Sequence, residues 1–195
     1  MQQKQKYLDS LLKRINYLKV FKTGDFVLSS GEKSDFYFDG RLLTLDPESL
    51  YSITQLFLEI IKERKIRFIG GPATGAIPIV SAIVLHSYQY YERDAEGLIF
   101  GFFVRDNEKQ YGTGNIIEGH LLEKSNVIII DDTLTTGNSI LKTIEQVEKK
   151  KCKIKEVLTV LDRNENGKIK LNNSGYKVTS LLTYNRQNRS IEPSI

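Results

Sequence analysis

Two adjacent acids, Asp131 and Asp132, are the residues best suited to chemistry, because they directly follow the apolar run 127–130 (Val-Ile-Ile-Ile). Such a run is typical of a buried parallel strand, and carboxylates at its end are costly to bury unless something binds them. The segment 133–137 (TLTTG) then supplies hydroxyls and a flexible backbone before a predicted helix, whose free N–H groups favour a phosphate. The pattern predicts a ribose 5-phosphate site; the alternative is a strand-to-helix turn capped by Asp and Thr.

Two better-known phosphate motifs are missing from the sequence. It contains no G-x-x-x-x-G-K-[ST] segment, and 112–114 (Gly-Thr-Gly) lacks the third glycine and the preceding strand of a dinucleotide fingerprint. Kinase-like and NAD-dependent functions therefore lose most of their support.

The elements that must position these residues follow from hydrophobic periodicity. Helices are predicted at 7–18, 47–63, 76–88 and 138–150, strands at 66–70, 98–104, 127–130, 154–161 and 177–182, a hairpin at 26–28 and 36–38, and a polar loop at 105–115. Asp46, Pro47 and Glu48 mark a helix start, with a capping carboxylate, a proline at the first position and an acid in the first turn. The alternation predicts an α/β domain with a largely parallel sheet, whose ligands bind beyond the carboxyl ends of the strands.

Composition narrows the class of protein. The chain has 195 residues, of which 40% are hydrophobic and 27% charged, as suits one globular domain. We expect a cytoplasmic protein with no membrane association, because no apolar run is long enough to cross a bilayer, the polar start lacks a secretory signal, and Cys152 is the single cysteine. The net charge of +4 decides little. Nucleic-acid binding is the minority interpretation, since no aromatic residues interleave with the lysines of 149–155 for base stacking.

Residues 127–139 (VIIIDDTLTTGNS) resemble the signature of the type I phosphoribosyltransferase family, which binds 5-phosphoribosyl-1-pyrophosphate, PRPP. Four further segments resemble the members of that family that act on orotate: 26–41 their amino-terminal hood, 70–78 their pyrophosphate loop, 103–112 their mobile catalytic loop, and 160–163 a carboxyl-terminal match. The resemblance implies a type I phosphoribosyltransferase-like core with a mostly parallel sheet flanked by helices at about 46–183. A small hood, mainly 1–45 with C-terminal contributions, would complete a single domain over 1–195.

The same resemblance implies an activity, a cofactor and an assembly. The 5-phosphoribosyl group would pass from PRPP to orotate, giving orotidine 5-monophosphate and pyrophosphate in pyrimidine biosynthesis. Mg²⁺ would be held mainly by PRPP and water, as expected for a hard ion that keeps its waters. The loop that contains Arg105 and Lys109 would reach the neighbouring site of a homodimer.

Site residues follow from the resemblance position by position. The residues implied to bind PRPP are Thr74, Gly75, Arg105, Lys109, Asp131, Asp132, Thr133, Leu134, Thr135, Thr136, Gly137, Asn138 and Ser139. Those implied to bind orotate are Tyr37, Phe38, Thr135 and Arg163. Catalytic roles fall to Lys109, Asp131 and Asp132.

Each assignment has a structural alternative. Thr74 and Gly75 could form an ordinary turn, and Asn138 and Ser139 could cap a helix. Tyr37 and Phe38 could pack in the hood, Arg163 could form a surface ion pair, and 105–111 could be a solvated charged loop.

Three positions depart from the family pattern. Asp106 stands where many members have a lysine, Tyr111 where a histidine is expected, and Ser29 where the hood often has a lysine. Each change removes positive charge from an expected anion site, which Lys33 or Arg41 could compensate. Two other functions therefore stay open: a phosphoribosyltransferase for another base, and a non-catalytic regulatory protein that binds PRPP.

Overall fold

The structure is a computed structural model that describes residues 2–27, 33–90, 97–106 and 115–195. Its helices are α1 (Gln2–Tyr17), α2 (Gly40–Thr44), α3 (Pro47–Glu63), α4 (Ala76–Tyr90), α5 (Asn138–Lys149) and α6 (Gly167–Asn173). Its strands are β1 (Phe21–Val27), β2 (Lys33–Phe38), β3 (Phe68–Pro72), β4 (Phe100–Val104), β5 (Ile117–Gly119), β6 (Asn126–Leu134), β7 (Lys153–Asp162), β8 (Val178–Asn185) and β9 (Ser190–Pro193). The predictions made for Ser29, Lys109 and Tyr111 lie outside the described residues.

Seven strands form one sheet in the order β5-β4-β3-β6-β7-β8-β9. The five central strands are parallel, and the short strands β5 and β9 pair antiparallel at the two edges. Because β4 lies on one side of β3 and β6 on the other, the strand order reverses at the boundary between β3 and β6. In open α/β sheets, ligands bind beyond the carboxyl ends of the strands at such a boundary.

The sheet is covered on both faces, as its continuous apolar strands require. Strand β6 shows the division: Ile128 and Ile130 contribute to a core with α1, α3 and α4, whereas Val127 and Ile129 contribute to a second core with α5 and α6. All four side chains have 0% exposure. Since alternate residues of a strand point to opposite faces, a shift by one residue would exchange the two sets. The position of the carboxyl end of β6 is therefore well defined.

The start of α3 connects this helix to α1. Asp46 is the N-cap residue and accepts the backbone N–H of Ser49 at 2.9 Å, while its carboxylate also forms an ion pair with Arg14 of α1. The hydrogen bond from Arg14 is the main cause that lowers the pKa of Asp46, to about 2, against the opposing effect of burial. The predicted start of α3 is confirmed.

A two-stranded antiparallel sheet of β1 and β2 packs against the larger core. Phe36 and Phe38 of β2 are buried, and the ring of Phe36 lies 4.0 Å, centroid to centroid, from that of Tyr184 in β8. Phe21 of β1 contacts both rings, at 5.4 Å and 5.5 Å. This aromatic cluster connects the predicted hood segment to the central sheet.

The predicted α/β class and the order of the main elements are confirmed, with two kinds of difference. Strand β6 continues to Leu134, so it does not end at residue 130 as predicted, because Thr133 and Leu134 still pair with Leu161 and Asp162 of β7. The short elements α2, α6, β5 and β9 were not predicted. In the ranges that the structure covers, no helix combines the length and apolar character needed to span a bilayer.

Candidate active site

The acid pair lies at the carboxyl end of β6, at the boundary where the strand order reverses. Asp131 is buried, with 5% exposure, and Asp132 is half-buried. The backbone N–H of Asp132 donates to the Asp131 carboxylate at 2.9 Å. Two carboxylates are therefore held together in a position with little solvent.

Two glycines bring backbone into direct contact with this pair. A Cβ atom at Gly75, in the loop after β3, would lie 2.7 Å from a carboxylate oxygen of each acid. A Cβ atom at Gly40, the first residue of α2, would lie 2.7 Å from Asp132 Oδ2 and 3.1 Å from Thr133 Oγ1. Because ordinary contacts begin near 3.4 Å, no larger residue fits at either position without movement. Gly40 was not predicted from the sequence.

The electrostatics of the pair favour retention of a proton. Burial raises the pKa of Asp131 well above its usual range, and the charge of Asp132 raises it further. Burial also raises the pKa of Asp132, while a hydrogen bond from Asp131, the Thr133 N–H and the charge of Arg41 oppose that rise. These directions indicate that the pair retains one proton between its two carboxylates. Full ionisation requires a ligand that donates hydrogen bonds or brings positive charge.

The predicted phosphate loop directly follows the acid pair in the chain. Gly137, at φ 76°, is the N-cap residue of α5, and its carbonyl accepts the N–H of Leu141 at 3.0 Å. Asn138 is the first helical residue and not the cap, so the capping alternative for it is wrong. Thr135 and Thr136 are half-buried and Ser139 is exposed. The predicted loop therefore stands before the free N–H groups of a twelve-residue helix.

Leu134 differs from its neighbours in the predicted phosphate loop. Its side chain has 0% exposure and belongs to the core beside α5 and α6. Its carbonyl accepts the N–H of Arg163 at 2.9 Å. Any contact of Leu134 with a ligand is therefore limited to its backbone.

The loops after β3 and β4 end at the same edge of the sheet. Pro72 pairs with Val104, and the N–H of Ala73 donates to the Val104 carbonyl at 2.8 Å. Thr74 is exposed and precedes Gly75, while Arg105 is exposed and its Nη1 lies 3.7 Å from Glu118 Oε1. The structure thus brings Thr74, Gly75 and the start of the predicted mobile loop to one side of the acid pair.

Arg163, the first residue after β7, is buried, with 4% exposure. Its Nη2 atom lies 3.0 Å from Glu165 Oε1 and donates to the Phe36 carbonyl at 3.4 Å. The guanidinium carbon lies 4.3 Å from the centre of the Phe36 ring. The ion pair of the structural alternative is therefore present, with Glu165, but it is buried and not at the surface. The guanidinium is held in a fixed plane between Phe36 and Glu165.

The two predicted base-contacting aromatics have different environments. Tyr37 is half-buried, and its ring lies 5.7 Å from Phe26 in β1. Phe38 has 6% exposure and packs in the main core, whereas its structural alternative was packing within the hood. Phe36, which sequence reasoning missed, is the aromatic that contacts Arg163. The period of two in β2 was the available signal, because Phe36 and Phe38 share a face and Tyr37 occupies the other.

Comparisons with known proteins agree with this geometry. The model of the phosphoribosyl transferase domain family matches residues 43–184. An orotate phosphoribosyltransferase of Methanosphaera stadtmanae is 37% identical over 174 residues, which cover 88% of this chain and 92% of that protein.

Solved structures of orotate phosphoribosyltransferases have a fold similar to that of this chain. The orotate phosphoribosyltransferase of Mycobacterium tuberculosis in complex with Fe(III) dicitrate superposes with a TM-score of 0.75 and 28% identity, and the match covers 91% of this chain and 96% of that one. The same enzyme in complex with PRPP gives a TM-score of 0.71 and 25% identity, over 91% and 96% of the two chains. The chain belongs to the phosphoribosyl transferase domain family and, within it, to the orotate phosphoribosyltransferases.

Proposed function

We propose that the protein transfers the 5-phosphoribosyl group from PRPP to orotate, with orotidine 5-monophosphate and pyrophosphate as products. One observation supports this function best: the backbone of Gly40 and Gly75 encloses the Asp131–Asp132 pair. A Cβ atom added at either glycine would lie 2.7 Å from a carboxylate oxygen of the pair. A pair of acids with backbone on two sides fits ribose hydroxyls better than a bulky or anionic group. The M. tuberculosis relative that binds PRPP has the same fold.

The ribose and its 5-phosphate would lie along the end of β6 and the start of α5. Asp131 and Asp132 would accept hydrogen bonds from the two ribose hydroxyls. The hydroxyls of Thr133, Thr135, Thr136 and Ser139, with Asn138 and the backbone N–H groups at 134–139, would bind the phosphate. The positive end of a twelve-residue helix adds to its affinity.

The pyrophosphate would lie between the loops after β3 and β4. Thr74 and Gly75 offer backbone donors there, Arg105 offers a cation, and Lys109, outside the described residues, would supply a second. Magnesium bound with PRPP would neutralise negative charge on the pyrophosphate. The carboxylate oxygens of Asp131 and Asp132 are of the type that this ion prefers, and they would meet it through its water.

The reaction needs no enzyme nucleophile. A ring nitrogen of orotate loses its proton to solvent or pyrophosphate and forms a bond to ribose C1, while the bond from C1 to the pyrophosphate oxygen breaks and its electron pair leaves with pyrophosphate. Positive charge develops on the sugar, so the contribution of the protein is positioning and electrostatic stabilisation. The charge of the acid pair next to the ribose suits that transition state.

Arg163 is proposed to bind the orotate carboxylate, with Tyr37 and Thr135 beside the base. The fixed guanidinium plane favours a planar anion over a neutral base. Phe38 would contribute through its backbone or through packing, because its side chain belongs to the core.

The test is orotate depletion by the purified protein with PRPP and magnesium, run in parallel with adenine, guanine, hypoxanthine and uracil. Turnover of orotate alone is expected. Arg163→Ala should raise the KM for orotate about 10- to 100-fold, the equivalent of one charge-assisted hydrogen bond, and leave PRPP binding within about threefold. Arg186→Ala, an exposed arginine after β8, is the control. Turnover of a purine without orotate would refute the proposal.

A regulatory protein that binds PRPP is the second candidate, and Asp106 is the observation that favours it. This exposed anion follows Arg105, whose guanidinium already lies 3.7 Å from Glu118. Binding of PRPP without turnover of any base would support this candidate over the enzyme. The cytoplasmic location stays a prediction of the sequence.

We also propose a homodimer, supported by an apolar groove of about 600 Å³ between α4 and strands β4 and β5. The groove is lined by Val84, Leu85, Tyr88 and Phe103, and Leu85 and Tyr88 are 61% and 59% exposed. Strand β4 leads directly into Arg105, so a second copy on this face would lie beside the predicted mobile loop. Light scattering should give a dimer mass for the wild type and a monomer for Tyr88→Glu; an unchanged monomer mass in both would refute this assembly.

A further inference from the structure

Helix α6, which the sequence did not predict, packs directly on the phosphate loop. A Cβ atom at Gly167, its first residue, would lie 2.2 Å from the Thr135 carbonyl oxygen. A Cβ atom at Gly137 would lie 3.4 Å from the Gly167 carbonyl and 3.5 Å from Leu171. Since residues three and four apart share a helix face, Gly167, Lys170 and Leu171 all lie on the side of α6 that meets this loop.

Lys170 is the charged member of that face. Its ammonium donates a hydrogen bond of 2.6 Å to Asn138 Oδ1, on the first residue of α5. The Lys170 N–H is bonded to Asn166 O at 2.9 Å and its carbonyl accepts the Ser174 hydroxyl at 3.0 Å, so the backbone that carries this side chain is fixed. A positive charge therefore stands at the amino-terminal end of α5.

Two helix ends act on this ammonium. Lys170 lies in the last turn of α6, where a cation is favourable, and it also stands beside the amino-terminal end of α5, which carries a partial positive charge and favours an anion. A phosphate at the start of α5 would interact with both that helix end and the ammonium.

We propose that Lys170 is a further binding residue of the 5-phosphate site, and that it supplies the cation that the loop Thr133–Ser139 itself lacks. This inference rests on the proposed PRPP site and adds to it a residue from α6. The ammonium would exchange its bond with Asn138, or share it, for a phosphate oxygen. Sequence positions alone gave no indication of this role, since Lys170 and Asn138 are 32 residues apart.

The experiment compares Lys170→Gln, Lys170→Arg and wild type in two measurements. The first is calorimetric binding of ribose 5-phosphate, which contains the phosphate but no pyrophosphate. We expect Lys170→Gln to raise the Kd about 5- to 20-fold, because it loses one charge-assisted hydrogen bond, whose contribution is reduced because Lys170 is exposed. Lys170→Arg should stay within about threefold of wild type. The second is the Tm of the unliganded protein. The two helix ends act in opposite directions on Lys170, so the Tm of Lys170→Gln should stay within about 1 °C of wild type.

Lys150→Gln is the matched control, since Lys150 is the exposed C-cap residue at the opposite end of α5. A cation is favourable there, so this variant should lower the Tm slightly and leave the Kd for ribose 5-phosphate unchanged. A purely structural role of Lys170 predicts a lower Tm and an unchanged Kd, and that result would overturn the inference.

Failure of the inference is distinguishable from failure of the proposed function. Wild-type binding of ribose 5-phosphate with an unaffected Lys170→Gln variant would remove Lys170 from the site and leave the enzyme assignment intact. A wild-type protein that binds neither ribose 5-phosphate nor PRPP would refute both. Neither measurement depends on orotate turnover.

Discussion

Substitution of Gly40 by alanine tests whether the hood segment forms part of the ribose site. Gly40 starts α2, and its backbone is outside the left-handed region, so an alanine fits the local conformation. The added Cβ atom, however, would lie 2.7 Å from Asp132 Oδ2, whereas ordinary contact begins near 3.4 Å. The Asp132 carboxylate or the start of α2 must therefore move by the difference, about 0.7 Å.

The expected loss follows from that displacement. A misplacement of about 1 Å at a reacting group costs about 100-fold in rate, so we expect Gly40→Ala to lower kcat/KM for PRPP about 30- to 100-fold. The fold should survive, because alanine in a helix is favoured over glycine by about 0.5–1 kcal/mol, which offsets part of the contact. Steady-state kinetics with varied PRPP and a thermal unfolding curve measure the two effects separately.

Leu42→Ala provides the control in the same helix. Leu42 is 40% exposed, so its truncation changes α2 without a new contact to Asp132. We expect its kcat/KM to stay within about threefold of wild type, on the usual scale for exposed substitutions. A folded Gly40→Ala protein with the kcat/KM of the control would refute the close packing between α2 and the acid pair.

Three further outcomes concern single acids. Asp131→Asn should abolish turnover yet raise the Tm of the unliganded protein at pH 7. Burial raises the pKa of Asp131. Relative to Asp131→Asn, the wild type should therefore lose stability as pH rises from about 4 through that raised pKa. Parallel Tm profiles of the two proteins against pH would contradict this. Asp46→Ala should cost about 1–2 kcal/mol in urea unfolding at pH 7. The pKa of Asp46 is lowered to about 2, so the difference from wild type should shrink as pH falls from about 4 towards 2, and a constant difference would exclude its ionised form as the cause. Asp106→Lys should lower the KM for PRPP about 3- to 10-fold by restoring a cation, with Asp106→Asn intermediate, and a higher KM in both would argue against pyrophosphate beside this position.

The parts of the site that one segment forms could be predicted from the sequence. The apolar run, the acid pair and the predicted phosphate loop occupy 126–139 without interruption, so local patterns define them. The start of α3 was equally clear, because Asp46 and Pro47 act within one helical turn. Strand β6 extended further than predicted because its last residues pair with β7, which is a tertiary effect.

The contacts between distant segments could not be predicted in this way. Arg163 meets Phe36 across 127 residues, and the role of Gly40 depends on how α2 approaches β6. Helix α6 has the sequence GKIKLNN, with Ile169 and Leu171 as its apolar residues, too few for a periodic signal. Its position on the phosphate loop follows from the fold alone.

The proton shared by Asp131 and Asp132 has a consequence for ligand exchange. In the proposed site, ribose hydroxyls would donate to the ionised pair, so PRPP would bind as that proton leaves. Substrate and proton would then compete for one position, and each unit of acidification below the raised pKa would weaken affinity about tenfold. The heat of binding should accordingly vary with the ionisation enthalpy of the buffer, and the slope of that dependence counts the protons that the active site exchanges for its substrate.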